Sequence, residues 1–409
     1  MERSKASTAQ NLHLPKNALV SPGFEAVVTP ESAGWSFSSL RVLSLSPGES
    51  RRLETGPDEI LVVPLKGGVR VECEGSAFDL QGRRSVFSRV TDFAYVPRDA
   101  EFTLTSARGG EFALPGARAR RRLRPAYGPA ENVPVETRGA GGATRQLNNF
   151  CAPGIFETDR LSAVEVLTPP GNWSSYPPHK HDEERPGEAI LEEIYYFRLE
   201  GEASFGVHKT YAAEGDFDVT STVRDGDVFL VPRGYHGPSI APPEYALWYL
   251  NVLAGPAEER SMNFCDDPKH HWIRDSWRGQ PTDPRVAIRL QQGEIADRLA
   301  LLTRKELRQA ARAAIAQEST LSAQPPTENS VAVFPFSYVG QNEDLRPVWR
   351  GLTHLMITDL SKLSRLKLLE REQVQLLVDE LALNDAGRVD PRTGARSGRI
   401  LRAERVVQG

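Results

Sequence analysis

The chain reads as a mainly β protein: two related β-sandwich or barrel modules, then a helical linker and a small, partial α/β segment. Three observations predict this. Residues 20 to about 285 are broken by Gly and Pro into short β-branched or aromatic runs, the pattern of sandwiches and barrels. One set of motifs occurs twice within that stretch. After about residue 288 the texture turns helical and then alternates strand with helix, which marks a separate domain.

Taken in order, residues 1–19 read as a tail. Residues 20–124 form a first module with the runs "AVVTP", "RVLSL", "EILVVPLKGGVRVEC" and "DFAYVP", and residues 125–160 connect it to the next. Residues 161–287 form a second module with "EIYYFRL", "DVFLVP" and "ALWYLNVL". The repeat is seen twice over. "EILVVPLKG" starts at Glu59 and "EIYYFRLEG" at Glu193; "YVPRDAEF" starts at Tyr95 and "LVPRGYHG" at Leu230. Two matches whose offsets agree to within one residue point to a duplicated module. In residues 288–329, Ile295, Leu299, Leu302 and Leu307 recur at helical spacing before the polar linker "ESTLSAQPPTENS". Residues 330–409 read as a buried strand, a helix, a short strand and a helix.

With 50 basic against 54 acidic residues the net charge is −4, so no global field favours nucleic acid or an anionic membrane. The basic run "ARARRRLR" (117–124) carries no interleaved aromatics and reads as a linker or interface patch. Three scattered cysteines without a C-x-x-C pair argue against a disulfide framework. The start has no apolar h-region, and no apolar run reaches membrane length. A cytoplasmic protein is expected.

Only eight histidines occur in the chain, yet two stand one residue apart in "YPPHKHDEERPGEAILEEIYYFRLEG". On a strand, His179 and His181 project from one face. Glu193 opens the following strand, and His236 follows "VPRGY", where a return strand can bring it alongside. Three imidazoles and a carboxylate suit one divalent ion, Zn²⁺, Mn²⁺, Fe²⁺ or Ni²⁺, with positions left for water or substrate. The first module offers no such set: the place of the histidine pair reads "PGESRRLETG", Glu101 stands where His236 does, and only Glu59 remains. One metal per chain, in the second module, is the expectation.

"PPHKHD…EEIYYFR", "DVFLVPRGYHGP", "WYLNVLAGP", "RGAGGATRQLNNF" and "DDPKHHWI" together resemble the cupin superfamily. More closely, residues 15–285 resemble the bicupin 5-deoxy-glucuronate isomerases of inositol catabolism, relatives of the 5-keto-4-deoxyuronate isomerases. That resemblance implies a tandem cupin fold, metal-ligand roles for His179, His181, Glu193 and His236, and a small sugar-acid substrate. A homo-oligomer is expected. Cys151 stands where the family leads one to expect a small residue such as glycine. The implied reaction is an aldose–ketose shift of 5-deoxy-D-glucuronate to 5-dehydro-2-deoxy-D-gluconate, in which a Lewis acid acidifies the C2–H bond and a base carries a proton from C2 to C1. Candidates for that base are Glu192, Tyr196, Tyr249 or a metal-bound hydroxide. The substrate carboxylate calls for a cation. Lys180 points away from the histidine face; Arg198 also falls opposite by strict alternation, Arg233 has a counterpart in the metal-free module, and Arg145 ranks with them on resemblance. The alternatives are a 5-keto-4-deoxyuronate isomerase, an iron cupin dioxygenase, and a non-catalytic sugar-acid-binding cupin.

Residues 330–409 resemble the N-terminal part of the curli-secretion (CsgG-type) lipoprotein domain, through "LLEREQVQLLVDE" and "GRVDPRTGARSGRILRAERVVQG". A lipobox cysteine is missing and the chain stops at the strand "RVVQG". A truncated fusion is expected, its last strand without neighbours and open at the edge.

Overall fold

The computed structural model describes residues 12–286, save 202 and 284, and the strands Thr327–Val333, Lys367–Leu369 and Ala403–Val407. The chain divides into two compact units, residues 1–291 and 292–409.

Within the first unit the two modules repeat one strand order. In the second module, Glu192–Leu199 lies between Val228–Val231 and Leu247–Ala254, followed by Ser162–Thr168, Arg145–Asn149 and Val135–Arg138. In the first, Asp58–Cys73 lies between Phe93–Val96 and Gly110–Arg118, followed by Ser38–Leu45 and Ala26–Val28. Each sheet faces a second one. That of the second module is made of Asp218–Val223, Gly206–Tyr211, Tyr235–Ile240, His179–Lys180 and Cys265–Asp266. In the first module, Asp58–Cys73 is long enough to bend and serve both sheets. The bend needs glycine: where the strand changes sheets Gly67 has a φ of +78°, and a Cβ on it would lie 2.5 Å from the carbonyl oxygen of Gly109.

The outermost strands cross over between modules. His13–Leu14 pairs with Val228–Val231 of the second module, and Ala126–Gly128 pairs with Phe93–Val96 of the first. Part of the expected N-terminal tail is therefore a strand, with Leu12 buried beside it and His13 Nε2 2.8 Å from Asp227 Oδ2. Parts of the expected connection, 125–160, likewise belong to the sheets: Ala126–Gly128, Val135–Arg138 and Arg145–Asn149.

Strand alternation sorts the core into layers. Ile60 and Val62 pack inside the first barrel with Leu43, Phe102 and Leu104. Tyr195 and Phe197 pack inside the second with Val164, Phe229 and Tyr249. The odd-numbered Leu61 and Val63 and the even-numbered Ile194 and Tyr196 turn outward instead. There they meet Trp248, Leu250 and Val252 in an apolar layer shared by both modules, each buried side chain contributing about 1.5–3 kcal/mol.

This layering corrects the repeat. Ile60 lies opposite Val96, and it is Glu193 that lies opposite Val231; the "VPR" turns align as the sequence suggests, but Glu59 matches Glu192. Both glutamates do the same work. Glu59 accepts the backbone N–H groups of Asp159, Arg160 and Leu161 and the Tyr95 hydroxyl. Glu192 accepts those of Ser36, Phe37 and Ser38. Each carboxylate holds the start of the other module's first long strand. The basic run is also accounted for: Arg118 pairs with Asp58, Arg121 with Asp159, and Arg122 with Glu74.

In the second unit, Thr327–Val333 pairs in parallel with Lys367–Leu369 on one side and Ala403–Val407 on the other. The last strand thus has a neighbour, contrary to expectation: Val331 lies opposite Arg405. The helices expected between these strands, and the helix with Ile295, Leu299, Leu302 and Leu307, lie outside the described residues.

Candidate metal centre

His179 opens the short strand His179–Lys180, which runs between Tyr235–Ile240 and Cys265–Asp266 and sets His179 directly opposite His236, and His181 follows the strand's end. Alternation turns Lys180 to the other side, where its ammonium is buried against Asp182, Glu183 and Glu188. Glu193 reaches the same point from the facing sheet. One nitrogen each of His181 and His236 and one oxygen of Glu193 lie within 4.8 Å of one another. Their separations are 2.9 Å from His181 Nε2 to Glu193 Oε2 and 3.0 Å from His236 Nε2 to the same oxygen. His179 stands beside them, its ring 4.5 Å from that of His236 between centroids.

The imidazoles are oriented from behind. Nδ1 of His179 faces the carbonyl of Pro177 at 3.2 Å, that of His181 the carbonyl of Leu191 at 3.1 Å, and that of His236 the carbonyl of Gly234 at 3.3 Å. With Nδ1 protonated to donate to these oxygens, each Nε2 keeps its lone pair for a ligand, as metal-binding histidines require. His236 Nε2 is buried without a hydrogen-bond partner; it is close to Glu193 but off the hydrogen-bonding line. An orphaned, sequestered nitrogen among ligands of this kind fits a divalent cation.

The electrostatics agree. Burial, then the neighbouring His236, holds His179 well below the ordinary imidazole range. Burial alone would push Glu193 up, but His236 and His181 outweigh it and keep the carboxyl far below its usual range. Burial likewise opposes the charged form of His181, and Glu193 reverses the direction and raises it.

His179, His181 and Glu193 open into a cavity of about 370 Å³. Apolar walls come from Leu147, Val164, Val166 and Leu253, and polar ones from Arg145, Ser175, Tyr195, Tyr249 and Asn251. A wider, open cleft near Ser21, Glu25 and Arg51 holds no cluster of ligating groups among the described residues. Arg145 is 4 % exposed, with no carboxylate at ion-pairing distance among the described residues. Its guanidinium donates to the Ala143 carbonyl and stacks on Trp277. Burial pushes it down to about 10, so it stays charged at neutral pH. The hydroxyls of Tyr195 and Tyr249 both meet Ser175 Oγ, at 3.2 and 3.0 Å.

Of the residues singled out in the sequence, the structure brings His179, His181, Glu193, Arg145 and Tyr249 to this cavity, and His236 to the ligand cluster. Four others are elsewhere. Glu192 and Tyr196 occupy the outward face of their strand, one on backbone N–H groups of the first module and the other in the shared apolar layer. Arg198 faces the same way and bonds Glu111 and Asp225. Arg233, at the strand end, pairs with Asp216 and Glu214 over the Phe217 ring. Tyr195 was missed, although it lies two residues beyond Glu193 on the same face. Ser175 and Asn251 carried no signal of their own.

Residues 312–409 match the curli production assembly/transport component CsgG. The remainder is similar to the 5-deoxy-glucuronate isomerases of Geobacillus thermodenitrificans (40% identity over 252 residues, 61% of this chain and 90% of that protein) and Geobacillus kaustophilus (38% over 268 residues, 65% and 96%). In solved structures it is similar to an IolB-like protein from Salmonella typhimurium, at 32% identity and a TM-score of 0.61, covering 64% of this chain and 99% of that one. Residues 13–273 match the KduI/IolB family over more than half the chain, and the protein belongs to that family.

Proposed function

We propose that this chain is a metal-dependent aldose–ketose isomerase converting 5-deoxy-D-glucuronate to 5-dehydro-2-deoxy-D-gluconate in inositol catabolism. The observation that carries the reading is the pairing, in one cavity, of an inward-facing His/Glu set with a buried arginine that lacks a carboxylate partner among the described residues. A sugar acid supplies both missing partners: oxygens for the cation and a carboxylate for the guanidinium. The names of the relatives point to the same substrate.

His179, His181, Glu193 and His236 would hold one divalent ion, with Zn²⁺ or Mn²⁺ our first assignments for this borderline set and Fe²⁺ or Ni²⁺ behind them. Bound there, it would supply Lewis-acid polarisation of a carbonyl and its neighbouring hydroxyl without redox change. Arg145 binds the carboxylate and sets the direction in which the sugar lies. Leu147, Val164, Val166 and Leu253 exclude water and strengthen the polar contacts. Burial raises both Tyr195 and Tyr249, so their hydroxyls stay protonated and donate to sugar oxygens as charge develops there. We assign Tyr249 to that role in place of Glu192 and Tyr196. The protein acts in the cytoplasm as a homo-oligomer, a placement that agrees with its three free cysteines.

Purified protein should bind one equivalent of metal and convert 5-deoxy-D-glucuronate. His181→Ala should lose metal and turnover together; Glu101→Ala, at the equivalent place in the first module, should lose neither. Stoichiometric metal with no conversion of this substrate or of the 5-keto-4-deoxyuronate would sink the isomerase and leave a sugar-acid-binding protein. Oxygen uptake during turnover would instead mark an oxygenase.

A further inference from the structure

Ser175 has a backbone that its residue type resists. Its φ is +47°, a region where glycine is the usual occupant and other side chains are strained. The surroundings leave it little choice. The preceding Ser174 is paired with Ser239 in the strand register, and its hydroxyl bonds Thr168 and the Ser239 carbonyl. On the other side the Ser175 carbonyl approaches Gly237 so closely that a Cβ there would lie 1.7 Å away, and Gly237 directly follows the ligand His236. A glycine at 175 would meet the backbone requirement without strain. A serine there calls for a use of its hydroxyl.

That hydroxyl lies in the cavity wall and bonds two others, Tyr249 at 3.0 Å and Tyr195 at 3.2 Å. Each hydroxyl has one proton to give. Three hydroxyls joined by two bonds use two protons and leave one, whichever way the chain is oriented. Tyr195 also meets Asn251 and Tyr249 meets Ser174, and the side open to that proton is the cavity, which Ser175, Tyr195 and Tyr249 all line. The two rings are fixed as well, their centroids 5.0 Å apart and tilted by 42°, and the Arg145 charge bears on Tyr249.

We propose that Ser175 is a positioning residue: its hydroxyl links Tyr195 and Tyr249 into one hydrogen-bonded chain that aims a single O–H at an oxygen of the sugar acid. This rests on the isomerase reading above. Ser175 acts through the tyrosines, and its removal leaves their hydroxyls free to turn.

The test compares wild type with Ser175→Gly, Ser175→Ala, Tyr249→Phe and the Ser175→Gly/Tyr249→Phe double variant. Ser175→Gly should keep its metal and melt at or above the wild-type temperature, because the positive φ is relieved. Its kcat should nevertheless fall about tenfold, the worth of one hydrogen bond, with KM changed much less. Ser175→Ala should show the same kcat loss with a lower melting temperature. The double variant should be no slower than Tyr249→Phe alone, since both act on one chain. Wild-type kcat in Ser175→Gly overturns the proposal, as do multiplicative losses in the double variant or, in Ser175→Gly, a kcat loss accompanied by lost metal or stability. If wild type turns over no substrate, the isomerase reading fails and binding of D-glucuronate by calorimetry decides the rest. Affinity weakened about tenfold in Ser175→Gly keeps the chain as a recognition device; equal affinity, or no binding by either protein, overturns it.

Discussion

At the scale of single residues, the informative contrast is between the candidate metal-holding side chains and the groups around them. His179, His181, Glu193 and His236 were legible because imidazole is scarce and its spacing on a strand fixes a face. Arg145 was reached only by resemblance: nothing in "ATRQLNNF" says that this arginine will be buried without a counter-ion. The structure supplies the reason to single it out, and the consequence can be measured. Arg145→Met should raise KM for the sugar acid about 10- to 100-fold, the worth of a charge-assisted hydrogen bond, with metal content unchanged. It should also melt no lower than wild type, because an unpaired buried charge opposes folding. Steady-state kinetics and a thermal melt on the same preparation check both halves. Unaltered KM would remove Arg145 from the carboxylate site.

At the scale of elements, strand parity decided more than motif matching did. "Glu-Ile" occurs in both modules, yet the match is one residue out of step, and that step moves Glu59 from the cavity face to the shared layer. A one-residue shift reverses the face of every side chain on a strand, and sequence similarity cannot detect it. The hairpin between His181 and Glu193, Asp182–Arg185 with Glu188–Ile190, depends on a second carboxylate. Glu188 receives Lys180 at 2.9 Å, Arg185 at 2.7 Å and the N–H of Asp182 at 3.0 Å. Burial would push it up, but Lys180, the Cys265 thiol, the Asp182 N–H and Arg185 bring it down from an ordinary 4.5 to about 2. A depressed carboxyl stabilises the fold above its unfolded value, and that stability drains away as pH falls through the folded one. Glu188→Gln should therefore melt lower than wild type above about pH 5. The gap should close between 4.5 and about 2, as melts across that range would show. A constant gap would place the effect in packing and not in charge.

At the scale of the whole molecule, the first module supports the back wall of the cavity. Arg83, fully buried, belongs to the first module; its guanidinium bonds both oxygens of Glu165 in the second, at 2.9 and 2.7 Å, and the carbonyl of Pro64. Glu165 also takes Asn148 at 2.6 Å and the Trp248 indole at 3.2 Å. Three neighbouring strands are thereby joined on their outer face, and their next residues line the cavity: Leu147 and Asn149, Val164 and Val166, Tyr249. None of this was legible in the sequence, because Arg83 and Glu165 lie far apart along the chain and meet only once both sheets have formed. Removing one member of such a pair strands a buried charge, whereas removing both leaves an apolar gap that packing can fill. Arg83→Met should thus cost about 3–5 kcal/mol of stability, and Arg83→Met/Glu165→Met should recover most of it. Denaturant unfolding of the two variants beside Glu165→Met gives the coupling directly. If the two single losses simply sum to that of the double variant, the ion pair has no part in joining the modules.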